Sequence, residues 1–160
     1  MKVRKATDKD AQLISEIVSE SNKDVAIKFG LDVNNCPKHP SFYNAEWVNA
    51  DFNRGEQYFI LENGVEVYGC VAIECPNDDV LYLNRLSVLP AFRQQGYGRN
   101  LVEFVIKQAK SASVTVISIG IIGEHTELLK WYKKLGFMPT ETKSFPHLPF
   151  TVQYMTYQIT

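Results

Sequence analysis

Apolar and polar residues recur along this chain with two periods, and the changes of period mark its elements. Residues 2 to 5 read as a short first strand. Thr7 then stands as a helix cap with the acid Asp10 three positions on, and Leu13, Ile14, Ile17 and Val18 follow on one helical face. Val25, Ala26 and Phe29 predict a second short helix before Gly30, and Asn34 to Pro40 predict a loop by their Asn and Pro content. His39, between Lys38 and Pro40, could serve as a base or a ligand contact, and in such a loop reads as solvated. Another helix is expected from a Ser41 cap to Phe52, with Ala45, Val48 and Phe52 inward and Trp47 in the core or at a pocket rim.

From Gln57 the pattern becomes strand-like. Gln57 to Leu61 and Val65 to Glu74 flank Glu62-Asn63-Gly64, a hairpin signal because both Asn and Gly tolerate positive φ. Pro76 to Asp79 turns the chain into a third run ending at Val88. In that run Leu81 and Leu83 share one parity and Leu86 and Val88 the other, as one inserted residue would require, so a bulge is expected near Asn84 and Arg85. Leu101, Phe104, Val105 and Ala109 give the stripe of a helix reaching Lys110, and the β-branched run Val114 to Ile122 reads as a central strand covered on both sides. The long crossover between residues 88 and 114 suits a parallel pair. A helix near 125 to 134 buries Leu128, Trp131, Tyr132 and Leu135 and ends at Gly136, and Phe137 to Thr142 and Phe150 to Ile159 form a last strand pair. The whole predicts an α/β domain over residues 1–160, a mixed, mostly antiparallel sheet of about six or seven strands flanked by helices.

Chemistry enters at the end of the bulged strand. Leu86-x-Val88-x-Pro90-x-x-Arg93-x-x-Gly96-x-Gly98 runs from strand to helix N-terminus, where unpaired N–H groups and the helix dipole favour phosphate. Glycines at 96 and 98 let a diphosphate approach the amides of Gln94, Gln95, Gly96, Tyr97, Gly98 and Arg99, with Arg93 as added positive charge. No Lys-Ser or Lys-Thr pair follows, which excludes a P-loop, and Leu101 stands where a dinucleotide fingerprint needs its third glycine.

The spacing resembles instead the acetyl-CoA-binding motif of the GNAT family of N-acetyltransferases. A second piece stands where that family has one: His125-x-x-Leu128-Leu129-x-Trp131-Tyr132-x-x-x-Gly136-Phe137. The resemblance implies the GNAT fold, in which the parallel pair splays to admit the pantetheine arm of acetyl-CoA. It implies cofactor contacts by Leu86, Ser87, Val88, Arg93 through Arg99, His125 and Tyr132, and transfer of an acetyl group to a primary amine, a small molecule in preference to a protein terminus, by direct attack in a ternary complex. Tyr132 aligns with the family's general acid, and a tyrosine titrating near about 10 keeps its proton at neutral pH. The oxyanion would meet the amide of Val88. Relatives often carry a glutamate base on the motif strand, but the corresponding positions here are Tyr82, Asn84 and Arg85, leaving a water chain held by Asn84 and Tyr82. His125, where the family has an asparagine, could contact pantetheine, act as the base, or simply face water. His147 could line the acceptor pocket. The rival reading is an acetyl-CoA-binding sensor or interaction module without turnover.

Charge adds exclusions. Seventeen basic and 18 acidic residues give a formal net charge of −1, and no basic tract occurs, so neither nucleic acid nor an anionic membrane is expected as a partner. The start MKVRKATDKD has no apolar core, which predicts a cytoplasmic protein. Cys36, Cys70 and Cys75 form no Cys-x-x-Cys, so no disulfide framework or metal site is expected, and Cys70 reads as a buried strand residue rather than a nucleophile. A homodimer is left open.

Overall fold

The computed structural model describes residues 1–160. Strand β1 (Lys2–Lys5) leads into a 3-10 turn at Asp8–Asp10, where Thr7 and Asp10 supply both halves of a capping box. Helix α1 then runs as one piece over Ala11–Lys28. The second short helix expected around Val25 does not exist separately. Nothing before Gly30 breaks the chain, and Ser21, Val25 and Ala26 continue the buried face begun by Ile14, Ile17 and Val18.

The helix expected from Ser41 is likewise redrawn. Pro40–Phe42 forms a separate 3-10 turn, Tyr43 is extended, and helix α2 occupies Ala45–Asn53. Asn44 is its cap, its carboxamide oxygen accepting the N–H of Trp47 at 3.0 Å.

Strands β2 (Gln57–Glu62) and β3 (Val67–Glu74) form the hairpin. β3 begins two residues later than the apolar run, because Asn63 Oδ1 accepts the N–H groups of Val65 and Glu66 at 2.8 and 2.7 Å and keeps both in the turn. There follow β4 (Val80–Val88), a 3-10 turn (Pro90–Phe92), α3 (Tyr97–Ser111), β5 (Val116–Ile122), α4 (Thr126–Lys134), β6 (Met138–Ser144) and β7 (Thr151–Gln158).

The seven strands lie in the order β1-β2-β3-β4-β5-β7-β6, and every neighbouring pair is antiparallel except β4–β5. Both faces are covered. On one, Phe59, Leu61, Val71 and Ile73 pack with Leu101, Val102 and Val105 of α3. On the other, Tyr58, Ile60, Cys70 and Ala72 meet Ile14, Ile17 and Val18 of α1. The odd and even residues of β2 and β3 thus serve different layers, which is why their runs are apolar without alternation.

Two irregularities open the sheet. Cys70 pairs with Ser87 and Ala72 with Asn84, so Val71 stands opposite two residues, Arg85 and Leu86. This is the bulge that the change of parity requires, and Arg85 takes φ 49° there. In addition, β4 and β5 pair only over Val80–Tyr82 and Val116–Ser118. Beyond Leu83 they part, and β5 continues against β7 alone.

Candidate active site

The gap between β4 and β5 is the floor of two adjoining cavities. One, about 330 Å³, is lined by Leu83, Asn84 and Arg85 of β4, Ile119 to Ile122 of β5, Tyr132 of α4, and residues of α1, the 39–40 turn and β7. The other, about 430 Å³, runs past Ser87 and Val88 to the N-terminus of α3. Leu86, His125, Leu128, Asn22 and Val25 line both, so the two form one continuous groove.

The backbone of β4 is oriented across this gap. Leu89 N–H donates to Tyr68 O of β3 at 2.9 Å. Amide directions alternate along an antiparallel strand, so the N–H of Val88 points the other way, toward the side on which β5 has splayed off. At the α3 end, Gly96 caps the helix at φ 87° and Gln94 takes φ 62°. Alternating left-handed residues beside a helix N-terminus form a concavity of N–H groups suited to an anion. A Cβ at Gly98 would lie 3.2 Å from the Trp131 ring, so glycine there lets α3 and α4 close on the groove.

Arg93 lines the same cavity, but its guanidinium is engaged. It donates to Asp24 at 2.6 Å, to Ser21 O at 2.6 Å and, through Nε, to Val88 O at 3.4 Å. Its action on an anion is therefore through its field, and its direct bonds tie the loop to α1. Gln94, Tyr97 and Arg99 also line this cavity, whereas Gln95 is exposed and does not. Ser87 is buried, its hydroxyl donating to Arg85 O at 3.0 Å. The Ser21 hydroxyl, buried at the wall of the groove, has no partner within the protein.

Behind Asn84 and Arg85 lies a charge cluster that only the fold assembles. Glu56 is sealed from solvent and receives Asn84 Nδ2 at 2.7 Å, Arg54 at 2.9 Å and the guanidinium of Arg85. Arg85 Nε also donates to Tyr58 Oη at 2.8 Å, and the Tyr58 and Tyr43 hydroxyls both donate to Asp51. Burial pushes the Glu56 carboxyl upward, while Arg85 and Asn84 pull it back. Glu56 does not line either cavity, so it supports the strand without reaching the groove.

Three titratable groups line the first cavity besides Arg85. Tyr132 is buried, with its ring edge-on to Trp131 and Phe137, and its hydroxyl has no protein partner. Burial alone raises its pKa, so it holds its proton through the alkaline range. His125 opens α4 beside Phe29. Its Nδ1 is enclosed and unpartnered, while Nε2 has no protein partner and stays open to solvent. Burial and the nearby Lys28 lower its pKa, which keeps the ring neutral at pH 7. His39 is the third, and the sequence reading of it as a solvated loop residue is corrected. It is 5 % exposed and lines the cavity, because its Nδ1 caps the Pro40–Phe42 turn, accepting from Ser41 N–H at 3.2 Å.

Two other residues weighed from the sequence lie elsewhere. Tyr82 is 39 % exposed and outside both cavities, so it cannot hold a water for Asn84 there. His147 is exposed next to Phe145, and Phe150 takes the place on the cavity wall. Cys70 is enclosed in the α1-side core, its thiol pushed up to about 12 by burial. No group of three or more His, Cys, Asp or Glu side chains is arranged to hold a metal ion.

Missed from the sequence were Ser21, Glu56 and Asp51, and His39 was weighed there but read as solvated. The turn motif His39-Pro40-Ser41 was the one local signal for His39. Nothing local marks Glu56, whose partners on β4 lie 28 and 29 positions away.

Comparison with known proteins agrees with this geometry. The family model described as Acetyltransferase (GNAT) domain matches residues 54–139. Among solved structures, the ribosomal-protein-S18-alanine N-acetyltransferase of Escherichia coli superposes with a TM-score of 0.78 at 14% identity, covering 99% of this chain and 94% of that one. The yncA protein of Salmonella typhimurium, solved with its cofactor acetyl-CoA, gives 0.69 at 19% identity over 100% and 94%. A GNAT family acetyltransferase from Elizabethkingia anophelis with acetyl-CoA bound gives 0.67 at 16% over 98% and 97%. With the family model spanning more than half of the chain, and the splayed strand pair and α3 loop in place, this chain belongs to the GNAT acetyltransferase family.

Proposed function

We propose that this protein transfers the acetyl group of acetyl-CoA to the primary amine of a small molecule, with both bound together in the groove. The observation that carries the reading is the continuity of the two cavities through Leu86, His125 and Leu128, with an anion-suited loop at one end and Tyr132 at the other. The residues present fit acetyl-CoA. The amides from Gln94 to Arg99 suit its pyrophosphate, and the unpartnered Ser21 hydroxyl offers a hydrogen bond along the arm. The thioester, when bound, supplies an activated acyl carbon and a thiolate leaving group.

Each residue then has a task. The Val88 N–H, already turned into the gap, donates to the acyl oxygen as it gains charge, and being backbone it needs no reorganisation. His125, neutral and with Nε2 open, takes the proton that the amine loses as its C–N bond forms. His39 is less suited, since Ser41 N–H occupies its Nδ1 and leaves the ring proton on Nε2. Tyr132 gives its proton to the departing sulfur as the C–S bond breaks, and solvent restores it. Attack is direct, because the buried Cys70 and the two other cysteines lie outside both cavities and none can carry the acetyl group.

Replacing Tyr132 by Phe keeps the ring packing and removes the proton. The expected result is a fall in kcat on the order of 100- to 10,000-fold, with acetyl-CoA affinity unchanged by calorimetry. Full activity in Tyr132→Phe across the pH range would sink the general-acid role. A second reading, acetyl-CoA binding without turnover, is favoured by the lack of any carboxylate on the acceptor cavity wall. Calorimetry and CoA release measured on one preparation separate the two.

A further inference from the structure

The acceptor cavity is lined mainly by apolar side chains and by no carboxylate. Most of its wall is apolar, with Leu83, Ile119, Ile121, Phe150, Val152 and Val25; Asn22, His39, Asn84, His125 and Tyr132 add neutral polar groups, and no Asp or Glu reaches it. The carboxylates nearby are committed elsewhere. Glu56 and Asp51 lie behind Asn84 and Arg85, spent on two guanidinium groups and two tyrosines. Asp24 and Glu127 face the α3 side of the groove, and Asp24 is held by Arg93. Arg85 is the one formal charge on the cavity wall, and Glu56 and Asp51 already neutralise it, so it does not call for an acid on the acceptor.

We propose that the acceptor is a primary amine carried on an apolar body with no second cationic centre and no carboxylate, of the aralkylamine or alkylamine class. The inference rests on the acetyltransferase reading and narrows it. A second ammonium in this cavity would lose its water and meet no carboxylate, only neutral groups such as Asn22, His39 and Tyr132 beside the cation of Arg85, a cost that apolar contact does not offset. An alkyl or aryl body instead gains from the same walls. The surroundings also favour the reactive form of the amine, because a wall without carboxylates gives an ammonium nothing to pair with and lowers its pKa toward the free base.

The test uses the full chain and acetyl-CoA, with CoA release followed for matched amines: butylamine, hexylamine, 1,6-diaminohexane, spermidine, 2-phenylethylamine and phenylalanine. Binding of acetyl-CoA is measured in parallel. The expected kcat/KM for hexylamine exceeds that for 1,6-diaminohexane on the order of 100-fold. It rises about fourfold per methylene from butylamine to hexylamine, and 2-phenylethylamine exceeds phenylalanine. Val152→Asp, which puts a carboxylate on the wall, is expected to reverse the preference between hexylamine and 1,6-diaminohexane. Equal or better turnover of the diamine or spermidine, or a preference for phenylalanine, would overturn the acceptor class while leaving the transferase reading standing. Acetyl-CoA binding with no turnover of any of these amines would overturn both.

Discussion

Gly96 shows how far one residue's backbone can matter. Its φ of 87° is a conformation that side chains disfavour, yet a Cβ there meets nothing within 4 Å. Gly96→Ala therefore tests the conformation alone, at a cost of about 1 kcal/mol in the left-handed region. Acetyl-CoA affinity is expected to fall about fivefold as the loop shifts to relieve that strain. Gly96→Asp adds a negative charge to the helix N-terminus, and on the order of 100-fold loss is expected. Calorimetry giving unchanged affinity in both folded variants would remove the phosphate-loop assignment. Arg93→Glu acts differently from a simple charge reversal in the groove, because it sets a carboxylate against Asp24 and releases the loop from α1.

At the scale of an element, β4 is a strand held open. Its inserted residue, Arg85, is a non-glycine at positive φ, sustained because the guanidinium is fixed by Glu56, Tyr58 and Asp51 at once. Glu56→Ala leaves that buried cation without its main partner, and a loss of about 3–5 kcal/mol is expected in urea unfolding. Glu56→Gln keeps the shape and an acceptor for Asn84. Since Glu56 does not reach the groove, the folded Gln variant is expected to keep kcat within about tenfold of the parent, a span below the contribution of a general base. A larger loss in that variant, with the fold intact, would mean that Glu56 takes part in proton removal.

For the whole molecule, the placement of the titratable groups sets the pH response. His125 has its pKa lowered by burial and Lys28, so the neutral form that the proposed base role needs is lost only below the ordinary histidine value of about 6.5. Tyr132 has its pKa raised by burial, so its working protonated form persists above the ordinary tyrosine value of about 10. The expected kcat/KM climbs first with His125 deprotonation in the acid range and then with deprotonation of the acceptor amine toward about 10, and shows no falling limb up to about pH 9.5. A descending limb between pH 8 and 9.5 would show that another group, not Tyr132, supplies the proton.

Much of this was legible before folding. The hairpin, the cap at Thr7, the bulge at Arg85, the strand-loop-helix run through Gly98 and the helix bearing Tyr132 each depend on residues within a few positions of one another. Local spacing records such features directly. Boundaries were less legible: α1 absorbed the helix expected at Val25, and Asn44 took the cap assigned to Ser41, since packing on a shared face and a better capping side chain outweighed the nearer signal. Long-range pairing decided what local spacing could not hold. The sheet brings Glu56 beneath Asn84 and Arg85 and leaves the cavity between β4 and β5 without a carboxylate, while packing against α1 places the His39 turn and engages Arg93 with Asp24. The sequence by itself determined the phosphate-suited loop and the bulged strand that frame the groove, because helix ends and strand bulges are local events. The tertiary structure alone decided what lines the acceptor end, because those walls come from six segments that meet where one strand pair parts.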